Sequence, residues 1–149
     1  MSFVDLHLAL PGLRGQRLHV AVAADEANLR AALTAAGFEI VTAAGSAITN
    51  ESTLFEEMAR AFRFPGYFGH NWAALVDCLR DLRDRENPRI ALLWVNADAS
   101  LDADLQTFLD AIRVLDGVGS ELAEDDELGK AHQLEVFLLG AGARFGAST

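Results

Sequence analysis

The 149-residue sequence predicts an α/β fold in which a small parallel sheet packs with helices in one compact domain. Residues 90–95 (IALLWV) and 134–139 (LEVFLL) are almost continuously apolar, as is typical of interior strands covered on both faces. Residues 17–42 show a strand–helix–strand pattern with the length of a crossover connection, which favours parallel pairing. Amphipathic helical patterns occupy much of the remaining chain.

The N-terminal part contains the crossover pattern itself. Residues 17–23 alternate as a strand does, and residues 25–36 carry apolar side chains at helical spacing after Asp25, a residue that can cap a helix. Residues 38–42 then predict the next strand. Residues 3–10 are compatible with either an edge strand or an irregular arm.

The simplest topology adds strand 17–23 in parallel beside strand 38–42. The expected sheet therefore has three strands plus this N-terminal extra strand. The expected organisation is an extension over residues 1–37 packed on a domain of residues 38–149.

Three further helices are predicted from their apolar stripes. One begins near residues 49–53, one runs over residues 71–85 with Asn71 as its cap, and one covers residues 102–115. Residues 116–131 are polar and acidic and are expected to form a connection.

The charge distribution bears on the partner. Asp and Glu number 22 against 12 Lys and Arg, and residues 98–127 contain ten acids and one base. Nucleic acid is therefore not expected as a direct ligand, because phosphate binding requires clustered Lys and Arg. A basic protein partner fits this charge, although acidity can also serve solubility alone.

Targeting features favour a cytoplasmic protein. The longest apolar runs have about six residues, far short of the roughly 18 that span a bilayer, so no membrane association is expected. Asp5 stands where a signal peptide carries positive charge. The single cysteine, Cys78, suits a reducing compartment.

Enzyme and cofactor motifs are absent from the sequence. There is no GxGxxG after a strand, no GxxxxGK[ST], no GxSxG and no HExxH, and no two of the four histidines are four residues apart. We therefore expect no metal, no cofactor and no catalysis, and interpret Cys78 as a small core residue. An enzyme with an unrecognised site stays open as an alternative.

Residues 64–79 (FPGYFGHNWAALVDCL) form the most informative segment. A Pro-Gly turn is followed by Tyr67 and Phe68, expected as exposed loop aromatics, and then by a helix whose polar face carries Asp77 and Asp81. Such a face suits a concave, arginine-rich partner site. An ordinary solvated helix face is the alternative.

This segment resembles the barstar family of intracellular ribonuclease inhibitors. The shared pattern, P-x-Y-[YF]-G-x-N-[LW]-x-A-L-x-D-C-L, covers residues 65–79, and the flanking elements agree in order over roughly residues 38–140. The resemblance implies a three-stranded parallel sheet with packed helices. It also implies a protein that plugs a ribonuclease active site with acids that mimic the substrate phosphate.

The resemblance assigns roles to particular residues. Tyr67 matches the family's contact tyrosine, Asp77 matches its central acid, and Asp102 is placed as a further acid near the start of the next helix. Ala73 stands where the family has its first helical acid, and Val76 stands where it has an aromatic. Arg80, three residues after Asp77, is expected to neutralise that acid in part. We therefore expect a ribonuclease that diverges from barnase.

The expected function is that of an inhibitor or immunity protein that blocks a basic ribonuclease or another toxin protein. The alternative is a barstar-fold interaction module with a different partner or with itself, and the oligomeric state stays open. The expected partner-binding residues are Tyr67, Phe68, Gly69, His70, Ala73, Val76, Asp77, Arg80, Asp81 and Asp102.

Overall fold

The structure, a computed structural model, describes residues 17–66, 68–124 and 129–145. It confirms the α/β class with a small parallel sheet. The strands are β1 (Leu18–Val22), β2 (Glu39–Ala44), β3 (Arg89–Val95) and β4 (Gln133–Gly140). The α-helices of this part are α1 (Glu26–Ala35), α2 (Glu51–Phe62), α3 (Trp72–Arg80), α4 (Ala97–Ala103) and α5 (Leu105–Leu122).

The strand order is β1-β4-β3-β2, and every pairing is parallel. The expected place of the N-terminal strand beside residues 38–42 is therefore wrong. Strand β1 pairs with β4, from Leu18 opposite Val136 to Val22 opposite Gly140, and β2 lies at the other edge. The physical reason is that β3 and β4 are largely apolar and almost entirely buried on both faces, which an interior position in the sheet provides. With β1 beside β2, β4 would have been an edge strand.

The connection from β1 to β2, which contains helix α1, therefore joins the two edges of the sheet. Leu29 and Leu33 of α1 are buried in a cluster with Leu93, Phe137 and Leu139. One face of β3 and β4 is thus covered by α1.

A buried polar pair joins β1 to β4. His19 Nε2 lies 2.7 Å from Glu135 Oε1, and the imidazole stacks on Phe137 with ring centroids 4.6 Å apart. Both side chains of the pair are buried. Each therefore satisfies part of the other's hydrogen-bonding need, as buried polar groups require.

Helices α2, α3 and α5 contribute to the larger core on the opposite face of the sheet. Helix α2 also fastens the edge strand β2. Glu57 accepts a hydrogen bond from Ala44 N at 2.6 Å, and Arg60 bonds both Glu57, from Nε at 2.7 Å, and the carbonyl of Thr42 at 3.1 Å. The Arg60 guanidinium lowers the pKa of Glu57 despite its burial. Backbone groups of an edge strand are thereby occupied within the chain.

The helix expected over residues 102–115 is two helices. Asp104 adopts an extended conformation between α4 and α5 and caps α5, where its Oδ1 accepts from Thr107 N at 3.1 Å. The hydrogen bond from Thr107 N lowers the pKa of Asp104.

Helix α5 continues to Leu122, so the expected connection over residues 116–131 is wrong for its first seven positions. Leu115, Val118 and Leu122 repeat at i, i+3 and i+7 and are all buried, which maintains the helix through two glycines. With 18 residues, α5 is the longest helix of the described part, where no helix is long and apolar enough to cross a membrane.

Candidate functional site

Helix α3 turns a polar face to solvent. Asn71 caps it as predicted, since its Oδ1 accepts a hydrogen bond from Ala74 N at 2.8 Å. Leu75, Cys78 and Leu79 are buried in the core. The α-helix ends at Arg80 and continues as a 3₁₀ turn over Asp81–Asp84 instead of remaining α-helical to residue 85. Its exposed residues are Ala73, Asp77 and Arg80, with Asp81 at the C-cap.

Aromatic rings anchor the loop before α3. Phe68 is only 8% exposed, with its ring centroid 5.2 Å from Phe64 and 6.4 Å from Phe55. Its expected role as an exposed loop aromatic is therefore wrong. The loop folds back because Phe68 N donates to Pro65 O at 3.0 Å, and the aromatic residues of α2 offer an apolar surface for its ring.

Two glycines and a histidine occupy the outside of this loop. Gly66, Gly69 and His70 are exposed, and a Cβ at Gly66 would meet nothing within 4 Å. Tyr67, the expected contact tyrosine, lies outside the described residues. We call Gly66, Gly69 and His70, together with Ala73, Asp77, Arg80 and Asp81, the α3 surface.

Asp77, the expected central acid, is highly exposed to solvent. Its side chain is 75% exposed, and its Oδ1 lies 3.6 Å from Arg80 Nη1, an ion pair beyond hydrogen-bond distance. Within the described chain its carboxylate accepts no side-chain hydrogen bond, so its oxygens are available to a partner.

Arg80 is held mainly by Glu121 of α5. Its Nε donates to Glu121 Oε2 at 2.8 Å and its Nη2 donates to Oε1 at 3.1 Å. These hydrogen bonds lower the pKa of Glu121 and raise that of Arg80, so both groups are charged over the whole physiological range. The positive charge of Arg80, which would otherwise neutralise Asp77, is therefore balanced mainly by the Glu121 carboxylate.

A second arginine fixes the end of α5 beside α3. Arg83 donates to the carbonyl oxygens of Glu121 at 2.6 Å, Glu124 at 3.2 Å and Lys130 at 3.3 Å. The last carbonyls of a helix lack intrahelical partners, and a cation is favourable there. Glu121 is therefore presented to Arg80 from an anchored helix end.

The remaining expected site residues lie in other surroundings. Val76 is half-buried and packs against the core. Asp102 is the sixth residue of α4 instead of standing near a helix start, and its Oδ1 pairs with Arg144 Nη2 at 2.9 Å. Helix α4 packs mainly on residues 45–47, β4 and α5, so Asp102 lies on a different helix from the α3 surface.

Comparison with known proteins identifies the family. The family model described as Barstar (barnase inhibitor) matches residues 38–137, about two-thirds of the chain. The chain belongs to the barstar family. No curated protein matches the sequence significantly. The matched range contains β2, β3 and the α3 surface, whereas β1 and α1 precede it.

Membership of the barstar family suggests a barnase-inhibitor-like role, since the family is described as one of inhibitors. Burial raises the pKa of the Cys78 thiol, and the nearby Asp81 and Asp77 charges raise it further. A protonated, buried thiol is a poor nucleophile. Among the residues that the structure describes, no group of three or more His, Cys, Asp and Glu side chains could hold a metal ion.

The sequence did not indicate that Glu121 and Arg83 support the α3 surface. Both act across about 40 positions, since Arg80 and Glu121 are separated by 41 residues and Arg83 and Glu121 by 38. No periodicity or local motif reports such a pairing. Glu121 stood out in the sequence only as one of ten acids between residues 98 and 127.

Proposed function

We propose that this barstar-family protein inhibits a ribonuclease by covering its active site with the α3 surface. The observation that carries the proposal is the Asp77 carboxylate, 75% exposed on α3 within the segment that matches the family. A ribonuclease holds its substrate phosphate with cationic side chains. A carboxylate inserted among them accepts the same charge-assisted hydrogen bonds and excludes the substrate.

The charge of the whole chain supports this mechanism. The net charge is −10, and nine of those negative charges are the excess of acids between residues 98 and 127. An acidic inhibitor and a basic enzyme attract one another before contact, which raises the association rate. The same acidity disfavours nucleic acid as a direct ligand.

Self-association or a different partner through the α3 surface would call for an apolar patch around Ala73 and Val76. Val76 instead packs against the core, and Asp77, one helical turn after Ala73, is charged and exposed. The exposed large hydrophobic residues of the described chain are Val20, Leu105 and Leu109, on β1 and α5. This distribution favours the inhibitor over the interaction module.

The ribonuclease we propose is a basic toxin that diverges from barnase, because Ala73 and Val76 replace an acid and an aromatic of the family pattern. The inhibitor then acts as an immunity protein in the cytoplasm. The free, buried thiol of Cys78 is compatible with that reducing compartment.

Site-specific photo-crosslinking in the cell that makes the protein tests this proposal. A crosslinking amino acid at Ala73 is expected to capture a protein with ribonuclease activity. Ala27, an exposed alanine on helix α1, is the matched control and should capture none. Capture of the same proteins at both positions, or of a protein without ribonuclease activity at Ala73, would contradict the proposal.

A further inference from the structure

Arg80 introduces a guanidinium cation beside the acids Asp77 and Asp81 of the α3 surface. Its guanidinium lies beside the Asp77 carboxylate, with 3.6 Å between Nη1 and Oδ1. Asp81 follows it directly, and Glu121 faces it from α5. A partner that approaches Asp77 with a cationic group therefore also approaches a fixed positive charge.

The Arg80 guanidinium is held in place by Glu121, but not all of its hydrogen-bond donors are occupied within the described part of the chain. Glu121 occupies Nε and Nη2, whereas Nη1 makes no hydrogen bond in the described part of the chain. The Arg80 side chain is 51% exposed. Because two parallel hydrogen bonds restrict the plane of a guanidinium, the remaining Nη1 donors are aimed in a defined direction.

We propose that Arg80 is a specificity-determining residue. It admits a partner that carries a carboxylate or a neutral acceptor beside the cation that binds Asp77. It rejects a partner that carries a second cation at that position. This inference rests on the proposed function and adds the chemistry of the partner. Two partner groups of opposite sign, a few ångströms apart, would match Asp77 and Arg80 together. Like charges brought together at an interface oppose binding strongly.

Barnase serves as the probe of this inference, as the enzyme for which the family is described. Its affinity for the wild-type protein is compared with its affinity for Arg80→Gln, Arg80→Lys and Arg113→Gln. Arg113 provides the matched control because it is exposed on α5 and paired with Asp110 at 3.3 Å. Because a ribonuclease holds its substrate phosphate with more than one cationic side chain, we expect barnase to bind Arg80→Gln about ten-fold more tightly, a change of about 1.4 kcal/mol. Arg80→Lys keeps the charge and should bind as the wild type does, and Arg113→Gln should change the affinity by less than about three-fold.

Removal of Glu121 provides a test with the opposite sign. In Glu121→Gln the charge of Arg80 is no longer compensated, so barnase should bind more weakly than it does to Asp110→Asn, the control that removes one acid from the same helix. A purely structural role of the Arg80–Glu121 pair would instead make Arg80→Gln and Glu121→Gln both weaken binding.

The inference is overturned if Arg80→Gln binds barnase no better than the wild type, whether both bind or neither does. It is also overturned if Arg113→Gln improves binding equally. Neither result affects the proposed function, which depends on the ribonuclease captured through Ala73. Failure to capture a ribonuclease there would contradict that function independently of any effect at Arg80.

Discussion

Replacement of Leu33 by alanine should destabilise the protein without weakening ribonuclease binding. Leu33 is 0% exposed and lies in the cluster that α1 forms with the face of β3 and β4 opposite the larger core. A fully buried Leu→Ala substitution costs about 2–5 kcal/mol through lost burial and the cavity left behind. For a chain of this length each kcal/mol lowers the melting temperature by about 2–4 °C, so a loss of about 3 kcal/mol corresponds to about 6–12 °C.

Urea and thermal unfolding, each followed by circular dichroism, measure this loss. Leu105→Ala is the matched control, since Leu105 is a helical leucine that is 55% exposed and should cost less than about 0.5 kcal/mol. Ribonuclease affinity should be equal for both variants, because α1 and α3 pack on opposite faces of the sheet. Equal stability of the two variants would refute the packing of α1. A selective loss of affinity in Leu33→Ala would place the N-terminal elements in the interface.

Three further outcomes are expected. Glu57→Gln should cost about 2 kcal/mol at pH 7, the scale of a hydrogen bond to a charged group. The pKa of Glu57 is lowered from its ordinary 4.5, so the wild type loses this advantage as the pH falls below 4.5 and through the folded-state pKa. A deficit that stays constant in urea unfolding down to pH 3 would contradict this. Cys78→Ala should cost about 1 kcal/mol and leave binding unchanged, whereas lost inhibition at unchanged stability would indicate a functional thiol. Stopped-flow association should slow strongly with added salt while dissociation changes little, and a salt-independent association rate would exclude electrostatic steering.

The edge positions of β1 and β2 could have been predicted from the sequence, although the expectation stated above was wrong. Residues 90–95 are continuously apolar, and residues 134–139 are apolar except for Glu135. Two interior strands in a four-stranded sheet leave only edge positions for the other two. Strands β1 and β2 therefore have to lie at opposite edges. Consecutive strands usually lie side by side, but β1 and β2 do not, because β4 is buried between β1 and β3.

Local signals predicted the candidate site in part. The cap by Asn71 and the exposure of Asp77 follow from residues within one turn of each other. The burial of Phe68 depends on aromatic rings from α2, and the restraint of Arg80 depends on Glu121 at a distance of 41 residues. Neither contact leaves a pattern in the local sequence, so both required the tertiary structure.

The central claim, that Asp77 enters the ribonuclease, is tested most directly by comparing Asp77→Ala with Asp81→Ala. Both substitutions remove one exposed carboxylate from neighbouring turns, so they match in charge. Calorimetric titration of the ribonuclease captured through Ala73 should show that Asp77→Ala loses at least about 2 kcal/mol, or about thirty-fold in affinity. Asp81, one turn farther from the loop, should matter by less than about three-fold, as rim charges do. Equal losses for the two variants would contradict the assignment of Asp77 as the group that occupies the phosphate site.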